Sequence, residues 1–389
     1  MKRVLVVIHT PVYGGPHNQV VRLAKPLERR GWETVAVLPR EDGGCAGRLR
    51  KADIIVEEIE LHRLRRTFDP GTQARFARGF LRDVRSLRHV IRTFDADVVQ
   101  VCGAMHLQGG IAARRQGVPI VWQLLSTFAP MALRHVCMPF VRRWASVLMS
   151  TGLDVARKHP GAMAFGDRLV PFYPPVDLGQ FYPSSERREM ARVALGVPSD
   201  AFLVGTVGNF NRQKAHDHLV RAAACIIKAV PDTYVSVLGR STPTNAAYYE
   251  QHVVRLAERL NLLQDDVLRF EEPASEVSDL LPAFDVFLLT SRAEGVPTVL
   301  LEAMASGIPV VCTDVGSVRE VVSEGITGYV VPPGQWRMIA DRVIMLLRDQ
   351  QLRKRMSEKC RSSAEERFGL EMCADTHAAA YELARLDES

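Results

Sequence analysis

Residues 4 to 8, Val-Leu-Val-Val-Ile, form an unbroken apolar run too short for a membrane span and without the alternation of a half-exposed strand. A strand that is apolar on both faces must be covered on both. That condition is met inside a parallel sheet with helices above and below it. The same signature recurs along the chain. KRVLVVIHTP is followed by a YGG turn, by the helical stretch HNQVVRLAKPLERRG and by the strand WETVAVLP, with DVVQVC and PIVWQLL as later strands. Proline-rich VPFYPPVDLGQFYP interrupts the rhythm. It restarts with FLVGTVGNF, helical HDHLVRAAACIIKAV and TYVSVLG, and continues through VLRFEE, DVFLLTS, IPVVCTDV and GYVVP. Strands alternating with helices predict two doubly wound α/β domains, joined near residue 183. Ligands of such sheets bind beyond the carboxyl ends of the strands, so a cleft between the two domains is the expected site.

A chain of 389 residues is long enough for two such domains, each with its own core. No apolar run reaches the roughly 18 to 20 residues of a membrane span, and MKRVLVVIHTPVYGG lacks the cleavage pattern of a signal peptide, so a cytoplasmic protein is expected. Seven scattered cysteines without a CxxC pair suit a reducing compartment and speak against structural zinc. The net charge of +6 is unevenly spread: residues 1 to 185 carry 27 Lys and Arg against 15 Asp and Glu, the remainder 23 against 29. Part of the excess lies in HRLRRTFDPGTQARFARGFLRDVRSLRHVIRTF, where Arg75, Arg78, Arg82, Arg85 and Arg92 fall at helical spacing opposite Phe76, Phe80, Val84, Leu87 and Ile91. A solvated helix face explains this stripe; an anionic membrane surface or an anionic acceptor explains it as well.

The stretch SRAEGVPTVLLEAMASGIP, residues 291 to 309, carries the sharpest chemistry. DVFLLTS reads as a buried strand, Arg292 to Pro297 as the loop at its carboxyl end, and TVLLEAMAS as a helix with Pro297 in its first turn and Val299, Leu300, Ala303 and Met304 on its packed face. Gly295 permits a close approach of the backbone. The amides of Thr298 and Val299 then lack intrahelical partners and form an anion site. Carboxylates beside bound phosphate make sense only as acceptors from flanking hydroxyls, such as those of a sugar and a ribose. Glu294 and Glu302 are placed to reach the two ends of such a ligand. The plain alternative is a loop charge and a surface residue.

This stretch resembles the signature of the family-four retaining glycosyltransferases of the GT-B fold, a glutamate, seven residues and a second glutamate within EGxPxxxLEAMAxGxPVV. Glu294, Gly295, Pro297, Leu301, Glu302, Ala303, Met304, Ala305, Gly307, Pro309 and Val310 fall in register. The likeness continues through TDVGSVREVV, with Gly316 and Glu320 matched and Ser317 in place of a glycine, through GITGYVVPPG, the linker PPVDLGQFYP and the Gly14-Gly15 turn. The resemblance implies two Rossmann-like domains facing across a cleft: an acceptor-binding domain over 1–183, to which a terminal helix at 371–389 crosses back, and a donor-binding domain over 184–370. It implies hexosyl transfer with retention from a nucleoside-diphosphate sugar, UDP the expected nucleotide, to a hydroxyl acceptor that is a saccharide, a lipid-linked compound or a small molecule. No further cofactor, no metal and no nucleic-acid partner is expected. Glu294 is expected to hold the donor sugar, Glu302 the ribose, and the amides of Thr298 and Val299 the diphosphate, with Gly295, Val296 and Pro297 of the same turn also donor-binding.

Supporting positions are uneven. TVGNFNRQKAHDHL places Lys214 after a strand, where the family neutralises donor phosphates; the arginine that usually follows the glycine matched by Gly208 is Asn209, and Arg212 is the candidate replacement. Lys214, Arg212 and Glu294 are therefore the expected catalytic residues. Gly14 and Gly15 sit between a buried strand and a helix, where bare backbone approaches a donor phosphate or stands as a plain tight turn. After PIVWQL, Leu125 replaces the histidine that often contacts the sugar. His17 and His106 lie near strand ends and are expected to face the acceptor. Asp95 and Asp97 form a DxD that precedes a strand and reads as loop, while His216 and His218 are two apart on a helix and diverge. A nonhydrolysing nucleotide-sugar epimerase shares the two-domain plan, and a non-catalytic nucleotide-sugar-binding partner is made conceivable by Asn209 and Leu125. A dehydrogenase is disfavoured because no GxGxxG follows either first strand.

Overall fold

A computed structural model describes residues 1–41, 44–63, 70–241, 243–273 and 275–386. Residues 64–69 of the arginine-rich stretch and 387–389 of the terminal helix lie outside the described residues. The chain forms two units, one of Met1–Pro175 with Leu370–Ser389, the other of Val176–Gly369.

Among its described residues the first unit has seven strands: β1 (Lys2–Val7), β2 (Trp32–Pro39), β3 (Ile55–Ile59), β4 (Val98–Cys102), β5 (Ile120–Leu124), β6 (Val147–Thr151) and β7 (Leu169–Phe172). All pair in parallel, in the order β3-β2-β1-β4-β5-β6-β7. The unbroken apolar runs are buried as their composition requires: Val4, Leu5, Val6 and Val7 are covered on both faces. One layer comprises the helices Pro70–Thr93, Leu107–Arg114 and Met131–Trp144, which pack side by side over Leu5, Val7, Val99, Trp122 and Leu148. The other comprises Gly15–Glu28, Cys45–Lys51 and Leu370–Leu386 over Val4, Val6, Val98 and Met149. Phe80, Val84, Leu87 and Ile91 turn inward, leaving Arg75, Arg78, Arg82, Arg85 and Arg92 exposed.

Leu370–Leu386 belongs to the first unit by its chemistry as well as its packing. Tyr381 Oη donates to Gln100 Oε1 at 2.6 Å, His377 Nε2 lies 2.6 Å from Gln19 Nε2 and 3.1 Å from Gln123 Nε2, and Cys373 Sγ donates to the Tyr173 carbonyl. Buried polar groups in an apolar layer are stable only when paired in this way. Outside the layer, Arg30 bridges Glu371 and Asp375 at 2.9 and 2.7 Å.

The second unit repeats the plan with six parallel strands among its described residues: β8 (Phe202–Val207), β9 (Thr233–Leu238), β10 (Leu268–Glu271), β11 (Val286–Leu289), β12 (Val310–Thr313) and β13 (Gly328–Val331). Their order is β10-β9-β8-β11-β12-β13. In each sheet the first and fourth strands are neighbours whose connections depart in opposite directions. The two loops at those carboxyl ends must therefore part, which creates a crevice in each unit. Six of the seven cysteines are buried, and among the described residues they form no disulfide.

Candidate functional site

In the second unit the diverging loops follow β8 and β11. The first runs from Gly208 to Lys214 and closes with a short 3₁₀ turn, Arg212–Lys214, whose start is capped by Asn211: its Oδ1 accepts from the Lys214 amide at 3.1 Å. Ala215 then adopts a left-handed conformation at φ 52°, costly for a residue with a Cβ, and turns the chain into the helix His216–Ala229. Lys214 folds back over Gly208, where an added Cβ would lie 3.1 Å from Lys214 Cε.

The second loop, Thr290 to Pro297, is tied to the first along its length. Lys214 Nζ donates to Glu294 Oε1 at 2.9 Å, and Ser291 Oγ donates to the same oxygen at 2.8 Å. Thr290 Oγ1 donates to the Lys214 carbonyl at 2.9 Å, Gln213 Nε2 to the Ala293 carbonyl at 2.6 Å, and the Arg292 amide to the Gln213 carbonyl at 2.8 Å. The Arg292 guanidinium reaches the Arg212 carbonyl at 2.7 Å and both Asp217 oxygens at 2.8 and 3.0 Å. One guanidinium nitrogen is thus shared between the two Asp217 oxygens while the other holds the Arg212 carbonyl, which ties the second loop to the first and to the helix that follows it.

The loop after β12 supports the other side. Ser317 donates its amide to the Gly295 carbonyl at 3.0 Å, and Thr313 Oγ1 donates to the Ser291 carbonyl at 2.7 Å. Gly316 makes this contact possible: its φ is +60°, and an added Cβ would lie 2.0 Å from the Gly295 oxygen.

Beyond the turn, the helix Thr298–Ala305 starts without a side-chain cap; the Leu300 amide donates to the Pro297 carbonyl at 3.0 Å, which leaves the Thr298 and Val299 amides as the orphan donors of a helix start. Pro297 is the N-cap residue, one position earlier than the sequence reading put it. The helix is also buried on more than one face: Leu300, Leu301, Glu302, Ala303, Met304 and Ala305 are all covered, and Val299 is only half-buried. Glu294 and Glu302 are 8% and 5% exposed. Neither is a surface charge. Carboxylates buried beside a helix start and a lysine suit, in their chemistry, a ligand carrying both anionic groups and hydroxyls.

Aromatic side chains carry the first loop from below. Phe210 stacks on Tyr249 with centroids 4.6 Å apart, Tyr249 Oη lies 2.9 Å from His216 Nδ1, and the Arg212 guanidinium sits 5.0 Å from the Tyr248 ring centroid. Burial, reinforced by the Lys214 charge, lowers the His216 pKa to about 3, so the ring is neutral. Tyr248, Tyr249, Thr290 and Ser291 were not singled out in the sequence, because no pattern marks residues that act through a neighbour.

In the first unit, Gly14 caps the helix Gly15–Glu28 with extended backbone and no side-chain cap. His17 is buried in its first turn against Tyr13, its pKa lowered to about 4 by burial, which the Thr10 backbone partly offsets. His106 follows β4, with Nδ1 2.6 Å from the Cys102 carbonyl and its ring stacked 4.0 Å from that of His9. Burial lowers His106 to about 4, with the Cys102 carbonyl opposing and Arg63 assisting. His9, which follows β1 and was missed in the sequence, is fully buried, with no hydrogen-bond partner for either ring nitrogen among the described residues. The two histidines thus stand on the diverging strands of the first sheet. Leu125 is half-buried against the core. Asp97 accepts from the Arg3 amide at 2.8 Å and Asp95 is exposed; among the described residues no three His, Cys, Asp or Glu side chains converge as metal ligands do.

Residues 14–159 match the family model described as glycosyl transferase 4-like domain, and residues 187–363 the one described as glycosyl transferases group 1. A D-inositol 3-phosphate glycosyltransferase of Corynebacterium urealyticum is 32% identical over 58% of this chain and 54% of its own length. An N-acetyl-alpha-D-glucosaminyl L-malate synthase of Bacillus anthracis is 30% identical over 50% of this chain and 49% of its own. The matches thus span about half the length of these relatives. Among solved structures, Anabaena HepE in complex with UDP-glucose superposes with a TM-score of 0.82 at 21% identity, covering 97% of this chain and 98% of that one.

Proposed function

Because the chain belongs to the family-four glycosyltransferases of the GT-B fold, we propose that it transfers a hexosyl group, with retention, from a nucleoside-diphosphate sugar to a hydroxyl acceptor. The observation that carries this reading is the Lys214–Glu294 pair at the crevice of the second sheet, beside an uncapped helix start and a second buried carboxylate. In this reading the second unit is the donor domain and the first the acceptor domain. The diphosphate rests on the Thr298 and Val299 amides and on Lys214, with Arg212 within the same turn; Glu302 accepts from the ribose and Glu294 from the sugar. UDP is the proposed nucleotide, supported by the HepE complex. Gly14 and Gly15 are proposed to offer bare backbone to the donor and His106 a polar group to the acceptor; His17, fully buried against Tyr13, would reach an acceptor only if that ring shifts.

Charge develops on the departing diphosphate as the glycosidic bond breaks. Donors aimed there stabilise the transition state more than the ground state. The departing phosphate oxygen accepts the proton of the attacking hydroxyl on the same face of the sugar, which retains the anomeric configuration and needs no enzyme nucleophile. Positive charge comes from Lys214 and the amides, so the reaction is proposed to run without metal and to survive chelation. Cysteines without disulfides support a cytoplasmic enzyme. The exposed arginines of Pro70–Thr93 support a peripheral contact of the first unit with an anionic membrane.

The test is to incubate the protein with UDP, GDP and ADP sugars and an acceptor panel, and to read product masses and anomeric configuration by NMR. A product of retained configuration supports the reading. Isomerised donor without acceptor identifies an epimerase, and tight nucleotide binding with no product identifies a binding protein.

A further inference from the structure

The helix Met131–Trp144 is apolar on both faces, and only one face is used by the fold. Cys137, Met138 and Val141 point into the core. On the outward half, Met131, Val136 and Phe140 are 66%, 60% and 43% exposed, and Arg142 and Arg143 are exposed beside them. No carboxylate occurs between Asp97 and Asp154. Leu107–Arg114 packs against this helix on one side and against Pro70–Thr93 on the other, so all three share the outer layer of the first unit. Pro70–Thr93 presents mainly arginines there, since its Val84, Leu87 and Ile91 are buried.

Val136 and Phe140 lie one helical turn apart and Met131 stands at the helix start; exposed apolar side chains grouped on one helix in this way mark a contact surface. The two arginines outweigh the exposed carboxylate of Asp167 on the adjoining segment Ala162–Arg168, so the complementary surface is anionic outside and apolar beneath, as in the boundary between headgroups and acyl chains. A second copy fits poorly, because a self-complementary contact would set these arginines against each other with no carboxylate on the stretch to offset them. We propose that Met131–Trp144 is the membrane anchor of the first unit: Met131, Val136 and Phe140 enter the acyl boundary of an anionic bilayer while Arg142 and Arg143 meet its headgroups. This rests on the membrane contact proposed above and names the helix that makes it, one that the arginine stripe in the sequence did not point to.

Flotation of the full chain with vesicles of phosphatidylglycerol and phosphatidylcholine, against phosphatidylcholine alone, tests it, with circular dichroism of each variant as a check on folding. The expected results are binding that requires phosphatidylglycerol and weakens with salt, and a loss of at least tenfold in M131S/V136S/F140S. R142E/R143E should lose as much, since each arginine at such a surface contributes roughly fivefold. If the serine variant binds like wild type while R75E/R78E/R85E loses binding, the membrane contact stands and the anchor is wrong. If wild type ignores anionic vesicles, both fail. A change from dimer to monomer in the serine variant, read by analytical ultracentrifugation, would assign the face to a second copy and overturn the proposal.

Discussion

Lys214 Nζ lies 2.9 Å from Glu294 Oε1, and the contact joins two loops that leave adjacent strands in opposite directions. A lysine alone on a loop is a mobile charge. Held by Glu294, over Gly208, with its own backbone bonded to Asn211 and Thr290, it becomes a fixed one. Fixed charge needs little reorganisation as the leaving group ionises.

Lys214→Ala is therefore expected to lower kcat by about 100- to 1000-fold, the range found when one preorganised donor is removed. Lys214→Arg should recover part of it. Thermal denaturation of the same variants separates this from unfolding, since loss of the partner of a mostly buried carboxylate costs about 1–3 kcal/mol by itself. Full turnover in Lys214→Ala would refute the leaving-group role.

Glu302 acts on binding in this account. Glu302→Ala should raise the Kd for UDP by about 10- to 100-fold, corresponding to a charged hydrogen bond of about 1.5–3 kcal/mol. Isothermal titration calorimetry measures this directly, and an unchanged Kd would remove the ribose contact.

Gly316 lies outside the proposed ligand contacts yet sets them. Gly316→Ala forces a Cβ to within 2.0 Å of the Gly295 oxygen on a backbone at φ +60°. The left-handed backbone alone costs about 1 kcal/mol or more, and the clash must push the Glu294–Gly295 turn aside. A lower Tm together with weaker donor binding is expected; donor affinity at the wild-type level would show that the turn tolerates displacement.

The strands and their order of appearance were legible because a buried parallel strand writes itself as an uninterrupted apolar run, as at Val4 to Ile8 and Val286 to Leu289. The carboxylates of the second unit were legible because Glu294 and Glu302 stand in a motif. Their burial was not, since a helix buried on most of its surface shows no polar side from which to orient it. His9 was illegible for another reason: it becomes notable only when the sheet order brings β4, and with it His106, alongside β1. The outward face of Met131–Trp144 was hidden because apolar residues occur all round the helix, and only packing decides which of them remain outside.

Acid should weaken the fold before it titrates the buried histidines. His17 and His106 have folded pKa values near 4 and His216 near 3, against an ordinary value of 6.5. Between about pH 6.5 and pH 4 the unfolded chain binds protons that the folded one refuses. Stability is thus full above 6.5 and falls progressively as the pH drops through that window. Urea midpoints at pH 7.5, 6, 5 and 4.5 should decline in that order, and His106→Gln should flatten the slope; a midpoint independent of pH would contradict the burial of these rings.

The first unit is interrupted by the second, since the chain leaves it after Pro175 and returns at Leu370. During translation, the sheet face later closed by His377 and Tyr381 has no cover until that helix emerges; Cys373 meets Tyr173 only 200 residues downstream. At ribosomal speeds this leaves an apolar surface bare for roughly 10 to 40 seconds. The inserted unit is free to finish folding first, and the nascent amino-terminal half is the species that a holdase chaperone would have to shield.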